Sequence, residues 1–219
     1  MKRNLVFISV LAVLFTLLSC GKIKDYGTAA VEGAEGGTDT ATYPFESVSD
    51  YPGPWQINAV SSNPKFISAE ISSDKAYMGS SSLKIQVNYD AGNSGGVLTI
   101  GGTNMQMKHK TITARVWVPA GMGTSTNAYG GTIFIQLGAP NYHWYETAWM
   151  NLSVPAGNVA GKWNTITANV DTDVIYNSKT LDQNAEDGNT AILWGVKIGQ
   201  GGSSPNYAGY IYIDSINIQ

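Results

Sequence analysis

A chain of 219 residues with a formal net charge of −3 and only 13% charged residues carries no field that would gather nucleic acid or an anionic lipid surface. Hydrophobic residues at 43%, aromatics at 11% and 25 glycines suit a packed domain rich in tight turns and exclude a disordered chain. The single cysteine, Cys20, leaves the rest of the chain without a disulfide, a thiolate metal site or a cysteine nucleophile.

The chain opens on Lys2 and Arg3, continues through an apolar run from Leu5 to Leu18, and reaches Leu17-Leu18-Ser19-Cys20. The basic start and ~14 apolar-rich residues have the grammar of a signal peptide and are too short to cross a bilayer as a helix. The last four residues resemble the lipobox of bacterial lipoproteins. That resemblance implies residues 1–19 as a lipoprotein signal peptide, lipid on Cys20, attachment to a membrane, and a place in the bacterial cell envelope at the outer membrane or cell surface. Residues 21–42 are Gly, Ala, Thr and acidic types with hardly any large apolar side chain, so nothing there offsets the entropy of ordering. With Cys20 they read as a flexible linker with a reach of ~25 Å. The folded body is expected over 43–219.

From Phe45 the texture becomes short runs with period-two alternation, closed by Gly, Pro, Asn or Ser. Leu83, Ile85, Val87 and Tyr89 alternate with Lys84, Gln86 and Asn88. Ile112, Ala114, Val116 and Val118 alternate with Thr113, Arg115 and Trp117. Further strands are predicted over 131–137, 148–154, 165–170, 193–198 and 210–218, with one short helical turn at 180–186. Trp163 and Trp194 are expected in or over the core. About eight to ten strands separated by turn clusters predict an all-β fold of two antiparallel sheets packed face to face, a jelly-roll β-sandwich.

Several pieces, in order, resemble the non-catalytic carbohydrate-binding modules of the galactose-binding-like β-sandwich type. Phe45-Glu46-Ser47 resembles their opening strand. Tyr77 to Ile85 (YMGSSSLKI) resembles their Gly-Ser turn and following strand, and Arg115-Val116-Trp117-Val118-Pro119 their central strand. Gly161-Lys162-Trp163-Asn164-Thr165, Trp194 to Ile198 and Gly209 to Ile216 resemble later strands, so the match spans 45–219. The resemblance implies two sites. One is a structural calcium ion between the first and last strands, with Glu46 and Asp214 at the acidic positions and carbonyls near Gly79 completing about six to eight oxygens. The other is a surface for a polysaccharide of β-glucan, mannan or xylan type.

Sugar rings present apolar C–H faces ringed by hydroxyls, so a receptor needs aromatic platforms flanked by hydrogen-bonding groups. If the aliphatic residues of each strand face the core, then Arg115, Trp117, Gln136 and Lys197 stand outward and together line one concave face. A second cluster, Pro140 to Glu146 followed by Trp149, offers Tyr142, Trp144 and Tyr145 as sugar contacts on a loop or strand end.

Catalysis has thinner support. A glycosidase needs two carboxyls across a cleft, yet Glu46, Glu70, Glu146 and Glu186 sit in no such pattern. His109 and His143 lack zinc-ligand spacing, and no Gly-x-Ser-x-Gly elbow is present. A polysaccharide lyase using His143, Tyr145 and Arg115 is the catalytic alternative, and an adhesive or structural envelope protein with a protein partner is the other. The reading favoured by sequence is a monomeric lipoprotein that binds polysaccharide without cleaving it, with companion glycoside hydrolases as further partners.

Overall fold

The computed structural model describes residues 41–59, 65–90, 95–123, 129–154, 157–158, 160–186, 188–201 and 204–219. The signal peptide, Cys20 and nearly all of the expected linker lie outside them. The described strands are β1 (Trp55–Ile57), β2 (Phe66–Ser72), β3 (Ser82–Tyr89), β4 (Gly95–Gln106), β5 (Thr111–Val118), β6 (Tyr129–Leu137), β7 (Trp144–Thr147), β8 (Met150–Leu152), β9 (Lys162–Asn169), β10 (Val174–Ile175), β11 (Thr190–Gly199) and β12 (Tyr207–Ile218). A single helical turn, α1 (Val170–Asp173), follows β9, and a 3-10 turn occupies Asp182–Asn184.

These strands form two antiparallel sheets, as the sequence predicts. The seven-stranded sheet runs β1-β4-β11-β6-β7-β10, with β8 also paired to β6, and the five-stranded sheet runs β2-β3-β12-β5-β9. Alternation decides what lies between them. Leu83, Ile85, Val87 and Tyr89 of β3, together with Ile112, Ala114, Val116 and Val118 of β5, are buried from one side. Ile133, Ile135 and Leu137 of β6 and Trp194, Val196 and Ile198 of β11 meet them from the other. Each Val, Leu or Ile side chain among them contributes ~1.5–3 kcal/mol by leaving water, so a one-residue slip of any strand would forfeit several of them at once.

One corner is closed by aromatic rings. Trp55 and Trp194 meet edge to face at 5.5 Å between centroids, and Tyr43 joins Trp55 at 5.1 Å. The chain enters the body here, because Tyr43 pairs with Ile216 and the Thr42 hydroxyl donates to Asn217 Oδ1 at 2.8 Å.

The strands depart from the sequence reading in several places, beginning with Phe45-Glu46-Ser47, which resembles an opening strand but forms none, the first strand being β1 at Trp55–Ile57. Residues 148–154 do not form one strand; β8 covers only Met150–Leu152, while β7 occupies part of the stretch read as a loop. The long strand β4 was not foreseen because Val97 to Ile100 are buried on both faces, which erases the alternation, and paired glycines bracket the run. Strand β2 carries a register shift between Phe66 and Ser68 that blurs its period. Trp194 is fully buried, whereas Trp163 sits on the outer side of the five-stranded sheet with its ring 5.8 Å from that of Tyr77.

Candidate functional site

The outer face of the seven-stranded sheet gathers the residues with chemistry to offer. In β6, Tyr129, Gly131, Ile133 and Ile135 point into the core, so Gly130, Thr132, Phe134 and Gln136 point away from it. Strand β7 places Trp144 opposite Gln136 and Glu146 opposite Phe134, and β11 places Lys197 opposite Thr132. The Trp144 indole stacks on Phe134 at 4.2 Å between centroids and 10° between planes. Phe134 is thereby fully buried although it belongs to the outer face.

Glu146 is the hub of this face. Its Oε1 accepts hydrogen bonds from Thr132 Oγ1 at 2.5 Å and from Lys197 Nζ at 2.9 Å, while its Oε2 accepts the Trp144 Nε1–H at 3.0 Å. Three side chains, one from each of three strands, are thus fixed around one carboxylate.

A second indole lies further along β6. A Cβ built on Gly130 would fall 1.7 Å from Trp149 Cε2, so the Trp149 ring rests directly against the bare backbone of Gly130. It remains 44% exposed. Gly130 and Phe134 are four residues apart on one strand, which separates the two indoles by ~13 Å, with the Glu146 cluster between them.

The predicted sugar contacts divide between several environments. Gln136, Trp144 and Lys197 share the face just described. Tyr142 is exposed on the turn leading into β7, with positive φ. Tyr145 points the other way from Trp144 by strand alternation and is fully buried, which corrects its reading as a surface contact. Its hydroxyl donates to Glu186 Oε2 at 2.6 Å, and burial pushes the phenol far above its ordinary value. Glu186 also accepts from Asn141 Nδ2 and from His143 Nδ1 at 3.0 Å. Burial opposes the charge of Glu186, yet the bonds from Tyr145, His143 and Asn141 together hold its carboxyl below the ordinary value.

Arg115 and Trp117 also require correction, because they lie on the outer face of the five-stranded sheet, across the core from Lys197 and Gln136. Trp117 is only 6% exposed. The Tyr212 ring meets it edge-on at 5.4 Å, Lys75 Nζ sits 4.3 Å above it, and Gly161 leaves room for it by having no Cβ. The Arg115 guanidinium covers Tyr77 at 4.4 Å and donates to Thr165 Oγ1. The set proposed for a lyase, His143, Tyr145 and Arg115, is therefore split between opposite sheets.

Glu46 and Asp214 do share one corner. Both Glu46 oxygens accept the Ser80 N–H, at 3.1 and 2.9 Å, and its Oε2 also accepts the Ser80 hydroxyl at 2.8 Å. The fully buried Asp214 accepts Tyr77 N–H at 2.7 Å on Oδ2 and Ser215 N–H at 2.8 Å on Oδ1. Two hard carboxylates converging on the 77–80 turn suit calcium in kind. On their own they fall short of the about six to eight oxygens calcium needs, and amide hydrogens already occupy part of the set, so backbone carbonyls near the turn would have to complete the shell. Among the described residues no group of three or more His, Cys, Asp or Glu converges as a metal cluster.

Sequence reasoning missed Glu146 as an organiser, because as a possible catalytic acid it had no carboxyl partner. It placed Trp149 in the aromatic cluster without giving it a role. Reading 144–147 as a strand would have put Trp144 and Glu146 side by side on one face.

No family model matches the chain, and no curated protein matches it significantly. Solved structures do. One, from work on the promiscuous specificity of carbohydrate-binding modules from the β-sandwich superfamily, aligns with a TM-score of 0.54 at 20% identity, over 83% of this chain and 62% of that one. The chain thus spans less than two thirds of that neighbour's length. A carbohydrate-binding module of family 28, specific for non-crystalline cellulose, aligns with a TM-score of 0.57 at 15% identity, over 84% of this chain and 96% of that one. In its two antiparallel sheets the chain has the fold of the β-sandwich carbohydrate-binding modules.

Proposed function

We propose that the chain is a lipid-anchored envelope protein that holds a polysaccharide along the outer face of its seven-stranded sheet without cleaving it. The observation that carries this reading is the pair of partly exposed indoles, Trp144 and Trp149, on one face of one sheet with the polar Glu146 cluster between them. Such spacing lets an extended glycan stack at two points and hydrogen-bond in the middle. Glucan, xylan and mannan chains are the ligands to try first. The carboxylate of Glu146 accepts three hydrogen bonds from its neighbours, which suits a positioning group better than a catalytic acid. An open face of this kind leaves much of the ligand solvated, so affinity is expected at about the micromolar to millimolar level.

Affinity electrophoresis against soluble glucans, xylans and mannans tests the reading. Retardation of the wild type that is lost in Trp144→Ala and in Trp149→Ala supports it. A flat response across the panel favours an adhesive role with a protein partner.

Anchoring through Cys20 rests on the lipobox resemblance, and calcium at the Glu46–Asp214 corner rests on the module resemblance. Both carboxylates would be ligands, and the ion would pin the opening segment to β12 and the 77–80 turn.

A further inference from the structure

The face that carries the two indoles also carries one carboxylate and one ammonium in contact, Glu146 and Lys197, at 2.9 Å. Both are reachable, with 34% of the Lys197 side chain and 23% of the Glu146 side chain exposed. Their hydrogen-bonding capacities are spent unequally. A carboxylate offers about four lone-pair sites, and Thr132, Lys197 and Trp144 occupy three of those on Glu146. An ammonium has three donors, of which Lys197 gives one to Glu146. The pair therefore presents hydrogen-bond donors to a ligand while carrying no net charge.

We propose that Glu146 is the specificity-determining residue of this face, cancelling the charge of Lys197 so that neutral sugar rings are admitted and polyuronates gain no electrostatic hold. The inference rests on the glycan-binding reading above. Hydroxyl and ring oxygens of a neutral sugar accept from the ammonium hydrogens of Lys197 without meeting a repelling charge. A uronate carboxylate at the same spot is attracted by Lys197 and repelled by Glu146 close behind it, so that most of the attraction is offset. The same carboxylate holds the Trp144 Nε1–H, which fixes the indole parallel to Phe134. Selection of charge and orientation of a stacking platform thus fall to one side chain.

The test is affinity electrophoresis of the full chain in detergent. Hydroxyethyl cellulose, galactomannan and arabinoxylan serve as neutral probes, and polygalacturonate as the anionic one. Wild type is retarded by at least one neutral probe and passes through polygalacturonate unretarded. Glu146→Gln gains about fivefold in affinity for polygalacturonate, the upper end of what a partly exposed ion pair supplies, and the gain fades as salt rises. Lys197→Met and the double variant Glu146→Gln/Lys197→Met show no gain. Gln136→Lys, which adds an uncompensated ammonium on the same face and leaves the pair intact, acquires polygalacturonate binding as well. This second variant decides the matter if Glu146→Gln proves unstable in a thermal melt. Wild type that binds polygalacturonate as tightly as these variants, or variants that bind a neutral probe and gain nothing, overturn the inference. Wild type blind to every neutral probe overturns the glycan reading itself.

Discussion

Trp149 can lie on the sheet because Gly130 has no side chain in its way. In Gly130→Val the new methyl groups occupy the place of the indole, and the ring must lift. The core loses little, since Trp149 is not part of it. The expected result is about tenfold weaker glycan retardation, equivalent to ~1.4 kcal/mol, with a smaller change in melting temperature than a core substitution gives. At Glu186 the reasoning concerns stability. Its folded carboxyl lies below the ordinary value, so its contribution is complete above that ordinary value and is lost as pH falls through the folded one. Tyr145→Phe removes one of its hydrogen-bond donors. It should cost about 1–3 kcal/mol at neutral pH and shrink the stability lost on acidification, as read from denaturant unfolding at neutral and acidic pH.

At the scale of strands, phase was the most legible feature. Aliphatic residues at every second position of β3 and β5 fixed which sides face inward, and hence that Thr113, Arg115 and Trp117 face out. Local alternation says nothing, however, about which of two sheets a strand joins. Gln136 and Lys197 were rightly turned outward, yet onto the opposite side of the sandwich from Arg115, because β5 and β6 are consecutive in the chain but belong to different sheets. Alternation is equally blind to what covers an outward ring. Trp117 is sealed by Lys75, Tyr212 and the chain at Gly161, which come from distant parts of the sequence. Trp117→Ala should therefore destabilise the fold by about 3 kcal/mol and leave glycan retardation unchanged in the fraction that remains folded. The bulge at Ser215, with φ of 48°, likewise shifts the phase of β12, so that Ile213 and Ile216 both reach the core.

For the molecule as a whole, two treatments separate anchoring from stability. Cys20→Ser should move the chain from the membrane fraction to the soluble one without altering the melting temperature of its body. A chelator should lower that melting temperature, by mass action on an ion bound only to the folded state. An unchanged transition, with no metal in the purified protein, would leave that corner held by hydrogen bonds to Glu46 and Asp214 without an ion.

The backbone pairing of Tyr43 with Ile216 has a mechanical side. If the body is held by a fixed glycan on its sheet and by its N-terminal side at the membrane, any tension enters at this pairing. The Thr42 and Tyr43 bonds to β12 would part first, one after another, in the manner of a zipper. Behind them Phe45 and Trp55 are packed in the core, where rupture would require many contacts to fail together. The corner would act as a shock absorber, yielding a few residues of slack before the load reaches the part of the molecule that grips its ligand.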